Sequence, residues 1–126
     1  MGLYGQGRGE DRDAIEALGF LSSCESVDSD RLGIAGYSFG AEIALRSCSN
    51  NNMIKGVVSV ACPRESFVRL SRENNTVPKL LLCGDQDQYV SISEFKSISE
   101  HFLMPKQVII VSGANHFSEA KNTKLR

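Results

Sequence analysis

The stretch Leu32-Gly33-Ile34-Ala35-Gly36-Tyr37-Ser38-Phe39-Gly40 decides how the rest of the chain reads. Its first five residues are mostly apolar and show no helical period, so they read as a short buried strand. Residues 39–48 resume helical character, with Ala41, Ile43, Ala44 and Leu45. Between the two lies Gly36-Tyr37-Ser38-Phe39-Gly40, a G-x-S-x-G pattern. Alone, the pattern arises by accident in roughly one chain of this length in twenty. A strand before it and a helix after it change its meaning. A tight strand-to-helix turn holds the serine in a strained conformation and lifts its hydroxyl out of the end of the sheet. Glycine lets the neighbouring backbone and helix approach closely. The N–H groups that open the helix point toward developing negative charge. Ser38 is therefore the candidate nucleophile, and the Phe39 N–H the candidate donor to an oxyanion.

Working outward, the same alternation repeats. Residues 10–22 carry Ala14, Ala17, Leu18 and Leu21 on one helical stripe, and 26–31 form a polar turn. After 39–48, the run Ser49-Asn50-Asn51-Asn52 stops the helix, because Ser and Asn compete for backbone hydrogen bonds. Residues 54–62, rich in Val57, Val58 and Val60, read as a second buried strand. A polar connection at 63–75 has room for a short helix at 67–70. Lys79-Leu80-Leu81-Leu82-Cys83 reads as a third strand. A polar loop, 84–89, follows it. Ser91 and Glu94 match a capping box, in which each side chain satisfies a free N–H at a helix start. Ile92, Phe95, Ile98 and Phe102 line the helix that follows, over 92–103. Pro105 ends it, and Gln107-Val108-Ile109-Ile110-Val111 is a fourth strand. The expected fold is α/β: a three-layer arrangement with a mostly parallel sheet of about four strands flanked by helices. Its 126 residues suffice for one domain and are too few for two.

A serine hydroxyl needs a base, and the base needs an orienting carboxylate. The chain has two histidines. His116 follows the fourth strand in Ser112-Gly113-Ala114-Asn115-His116-Phe117, read as a loop at that strand's C-terminal end. His101 falls inside the 92–103 helix beside its apolar stripe, where a histidine is usually structural. Gly84-Asp85-Gln86-Asp87-Gln88-Tyr89-Val90 follows the third strand and offers two carboxylates, Asp85 and Asp87. In open parallel sheets that end is where ligands bind. The order Ser…Asp…His over three strand ends is a stronger signal than the motif alone.

Composition removes other classes. Net charge is −1 and no block of like charge occurs, so a nucleic-acid or anionic-membrane partner has no electrostatic support. No apolar run is long enough to span a bilayer. Met1–Arg12 is glycine-rich and polar, unlike a secretory leader, and Gln6 stands where a myristoylation site needs Ser or Thr. Cys24, Cys48, Cys62 and Cys83 show no C-x-x-C spacing, so no metal is expected. A reducing cytoplasm is the expected location. Asn74-Asn75-Thr76 fits a glycosylation sequon by coincidence. Gly5, Gly7 and Gly9 follow no strand and precede no Lys-Ser/Thr, so they read as a flexible loop rather than a phosphate cradle.

These motifs together resemble the C-terminal half of an α/β-hydrolase of the small, lidless, dienelactone-hydrolase-like kind. Residues 27–40 resemble the approach to that family's nucleophile elbow. Residues 78–90 resemble its acid segment, whose acid closes a G-x-x-D pattern, which favours Asp87 over Asp85. Gly113-Ala114-Asn115-His116-Phe117 resembles its histidine loop, and residues 5–11 the glycine-rich loop after its fourth strand. The resemblance implies a serine hydrolase of a carboxylic ester or related acyl compound, with Ser38, Asp87 and His116 as a triad and no cofactor. It also implies what is absent. The family has about eight strands, and the loop after its third strand supplies a second oxyanion N–H. On that pattern this chain begins after the fourth strand, and only the Phe39 donor remains. Strand 32–37 is then an edge through which chains can self-associate. A short helix is expected after His116. The alternative reading is a weak or inactive α/β-hydrolase-like fragment that serves as an interaction or regulatory domain.

Overall fold

The computed structural model describes residues 8–117 of the chain. Within them the order is α1 (Arg8–Ser22), β1 (Leu32–Tyr37), α2 (Phe39–Asn50), β2 (Ile54–Val60), α3 (Arg64–Leu70), β3 (Lys79–Gln86), α4 (Ile92–Ser99) and β4 (Lys106–Asn115). The four strands form one sheet in the order β1-β2-β3-β4, and every neighbouring pair is parallel. This is the expected α/β sheet, flanked by four helices. Of the glycine-rich loop expected at residues 5–11, residues 8–11 instead open α1; residues 5–7 and the short helix expected after His116 lie outside the described residues.

Spatial order follows chain order, so right-handed crossovers carry α2, α3 and α4 over the same face of the sheet. The side chains show which face. Val57, Ser59, Leu81 and Cys83 are buried beneath the helices, while Val58, Val60, Leu80 and Leu82, pointing the other way, are half-buried. Beneath α3 and α4 the core is aromatic: Phe67 stacks on Phe95 at 5.4 Å between ring centroids and meets Phe102 at 4.8 Å. Arg46 on α2 fastens α1 through a 2.7 Å bond to Asp11 and bonds Glu42 on its own helix at 2.7 Å. Glu42 in turn accepts from Ser66 on α3 at 2.6 Å. The capping box at Ser91 and Glu94 is formed as the sequence predicts.

Several bounds differ from the sequence reading. The second strand ends at Val60 rather than residue 62, because Ala61 turns to a positive φ of 55° and carries the chain off the sheet. The third helix begins at Arg64, three residues earlier than expected. The fourth ends at Ser99, which leaves His101 exposed beyond its C-terminus. β3 and β4 both run longer than their apolar cores. Their pairing continues through Gly84 with Val111 and Gln86 with Asn115, and it carries the supposed histidine loop as strand up to Asn115. β1 is an edge, with no further strand beside it among the described residues.

Candidate active site

Each predicted residue leaves the sheet at its C-terminal end. Ser38 stands between β1 and α2 with φ 56° and ψ −117°, a left-handed-side conformation that non-glycine residues seldom adopt. The turn is anchored by Ser38 N–H donating to the Val60 carbonyl at 2.8 Å. Its tightness falls on one glycine of the motif. A Cβ on Gly36 would overlap the Gly40 carbonyl, whereas one on Gly40 would meet nothing within 4 Å among the described residues. Both glycines are expected from sequence to allow the close approach; in the structure that duty falls on Gly36, because the helix folds back over that residue. Phe39 is the first residue of α2.

The acid loop is shaped by a second close approach. A Cβ on Gly84 would overlap the Ala114 carbonyl on β4, so only glycine lets the two strands come this near. A register shift between Gly84 and Gln86 then re-aims the chain into the loop. Asp87 Oδ1 accepts the N–H groups of Tyr89 at 2.7 Å and Val90 at 3.0 Å. Its Oδ2 lies 2.9 Å from His116 Nδ1. Cys83 Sγ donates to the same oxygen at 3.8 Å. Burial, and then the Asp87 charge and hydrogen bond, push the Cys83 thiol up to about 12. Asp85 turns elsewhere: its Oδ1 accepts the Gly113 N–H at 2.8 Å.

His116 is buried, and its Nε2 lies 2.9 Å from Ser38 Oγ. The structure therefore brings Ser38, His116 and Asp87 together in a line, with Asp85 outside it and His101 remote. Which ring nitrogen holds the proton follows from the partners. A carboxylate only accepts, so Nδ1–H faces Asp87 and the Nε2 lone pair faces the serine hydroxyl. The Tyr89 ring meets the imidazole edge-on at 4.7 Å, and the Phe117 ring does so at 5.3 Å. Ser38 opens onto a cleft of about 660 Å³ lined by Pro63, Arg64, Tyr89, His116 and Phe117. Among the described residues no group of three or more His, Cys, Asp or Glu could hold a metal ion. No helix there is long and apolar enough to cross a membrane.

Three contacts at the site have no counterpart in the sequence reading. Tyr37 Oη donates to the His116 carbonyl at 2.6 Å. Gln88 Oε1 accepts the His116 N–H at 3.0 Å. The third is the Cys83 thiol on Asp87. Tyr37 fills an x position of the G-x-S-x-G pattern and Gln88 lies just beyond the G-x-x-D pattern, so nothing local marks them. Cys83 reads from sequence as a small buried hydrophobe.

A strained serine at a strand-to-helix turn, at the C-terminal end of a parallel α/β sheet, defines an α/β-hydrolase fold. The chain matches the dienelactone hydrolase family over residues 6–124 and belongs to it. Among solved structures, an α/β serine hydrolase homologue from Coxiella burnetii is 31% identical with a TM-score of 0.76, over 93% of this chain and 55% of that one. A putative α/β-hydrolase of unknown function from Agrobacterium tumefaciens is 28% identical, also at a TM-score of 0.76, over 94% and 56%. A lidless serine hydrolase from Xanthomonas campestris shares the fold at 24% identity and a TM-score of 0.75. The chain thus spans little more than half the length of these structures. No curated protein matches it.

Proposed function

We propose that this hydrolase-family chain is a serine hydrolase of carboxylic esters or related acyl compounds, with Ser38, His116 and Asp87 as its triad. The observation that carries the reading is the pair of 2.9 Å contacts that run from Ser38 through His116 to Asp87. Ser38 Oγ attacks the acyl carbonyl while His116 Nε2 takes its proton, and the Phe39 N–H binds the developing oxyanion. His116 then gives that proton to the leaving alkoxide or thiolate. Water, deprotonated by the same nitrogen, attacks the acyl-enzyme, and the acid leaves as Ser38 regains its proton. Asp87 holds the Nδ1–H tautomer and stabilises the imidazolium formed in each step. The aromatic walls of the cleft, Tyr89 and Phe117, suit a small, largely apolar acyl substrate. The chemistry calls for no cofactor. A second partner in the proposal is another copy of the chain, docked along β1. Four free thiols suit a reducing compartment such as the cytoplasm.

The test is labelling with a fluorophosphonate probe, mapped by mass spectrometry and paired with p-nitrophenyl acetate hydrolysis. Ser38 is the expected adduct site. Ser38→Ala should abolish labelling, and His116→Ala should lower it by on the order of 10³-fold or more, since the members of such a unit fail together. Adducts spread over several serines, or unchanged in Ser38→Ala, would overturn the assignment.

A further inference from the structure

Among the described residues, β1 and β4 are the two edges of the sheet. Three strand spacings separate them, about 14 Å at the usual interval. Ser38 leaves one edge and the histidine leaves the other, yet their side chains meet at 2.9 Å. His116 directly follows Asn115, the last residue of β4, so its imidazole meets Ser38 only if the His116 backbone is held in one orientation. A residue just past a strand end has lost the ladder that would fix its backbone, so something else must fix where the imidazole stops.

The side chains around His116 do this from both sides. On the β3 side, Asp85 accepts the Gly113 N–H at 2.8 Å and Gln88 accepts the His116 N–H at 3.0 Å. On the β1 side, Tyr37 donates to the His116 carbonyl at 2.6 Å. Both main-chain polar groups of His116 are thereby held by side chains from two different strand ends. We propose that Tyr37 and Gln88 are positioning residues, which clamp the His116 backbone so that its imidazole stands between Ser38 and Asp87. The proposal rests on the triad reading for its kinetic consequence and deepens it, because the geometry it concerns is what makes the proton transfer productive. It gives a purpose to the residue just before the nucleophile. Tyr37 sits on the last pair of β1, opposite Val60. From there a tyrosine spans the gap to His116, with ring centroids 5.9 Å apart, while a phenylalanine would fill the same space without the bond.

The experiment compares Tyr37→Phe, Gln88→Ala, Gln88→Glu and the Tyr37→Phe/Gln88→Ala double variant with the unaltered chain. The first measurement is saturation kinetics of fluorophosphonate labelling at Ser38. Tyr37→Phe and Gln88→Ala should each lower the maximal labelling rate by about tenfold, the size of one net hydrogen bond. The half-saturating probe concentration should not change, because neither residue holds the probe. Gln88→Glu keeps an acceptor for the His116 N–H and should restore the rate. A residue that only stabilised the fold would show no such rescue. The second measurement is the imidazole ¹⁵N spectrum, which is simple because the chain has two histidines. His116 should be a fixed Nδ1–H tautomer in the unaltered chain and averaged in the double variant, with exposed His101 as the internal reference. Native labelling rate and native imidazole signals in the double variant would overturn the clamp. If the unaltered chain does not label at Ser38, the triad reading fails instead, and the spectra still decide the clamp. The single variants serve if the double variant does not fold.

Discussion

The two ends of this parallel sheet are built on opposite plans. At the C-terminal end, strain and orientation dominate. Every positive-φ residue among those described lies there: Ser38 at 56°, Ala61 at 55° and Gly113 at 79°. Non-glycine residues held in such conformations cost about 1–3 kcal/mol each. At the N-terminal end, polar groups are spent on satisfaction. Lys106 Nζ donates to the carbonyls of Ser99 at 2.6 Å, Glu100 at 3.0 Å and Phe102 at 2.7 Å, closing the exposed end of α4. Lys79 Nζ donates to Asn75 and Leu103 at 3.0 and 3.1 Å. Burial lowers the pKa of Lys79, and its two carbonyl partners offset that cost. The difference teaches where this chain can be altered: one end tolerates little change in shape, the other little loss of donors.

The largest expected effect comes from glycines. Gly84→Ala and Gly36→Ala each drive a methyl group into backbone that cannot yield, and each should cost about 3 kcal/mol or more by urea unfolding. Gly56→Ala, toward the other end, meets only the Pro78 carbonyl at an ordinary 3.8 Å and should stay within about 1 kcal/mol. Equal costs at all three positions would erase the contrast between the ends. A smaller effect is expected at the base. Lys106→Met keeps the stem and removes the donor, and should cost about 1–2 kcal/mol, discounted for partial exposure. Labelling at Ser38 should not change. A fall in labelling there would show that the two ends are coupled. The smallest effect sharpens the comparison sideways, at the edge rather than the ends. β1 carries no lysine or proline to discourage pairing. Light scattering should show concentration-dependent self-association, weakened in Ala35→Lys, which places a charge at an exposed position on that strand. A monomer at all concentrations would remove the second copy from the proposal.

Much of this arrangement was readable from the chain. Residues 32–40 announced a strand, a turn and a helix because apolar run, glycine and helical spacing are local properties. Ser91 and Glu94 announced their helix start for the same reason. The failures are equally local. Ser112 and Gly113 look like loop residues, yet β4 runs through them, because β3 offers a paired edge as far as Gln86. His101 looked like a residue beside an apolar stripe, yet the helix stops at Ser99 and leaves it in solvent. The roles of Tyr37, Gln88 and Cys83 had no local sign at all.

By itself, the sequence determined the alternation of strands and helices, the strained serine turn, and the short list of candidate bases and acids. Those follow from backbone sterics and side-chain periodicity within a few residues. Only the tertiary structure decided that Asp87 faces His116 while Asp85 serves the Gly113 backbone, and that Tyr37 and Gln88 hold the histidine from two sides. Ser38 and His116 are 78 residues apart in the chain. Their meeting depends on three parallel pairings and two close backbone approaches, and such contacts are set by the packing of the whole sheet rather than by any segment of it.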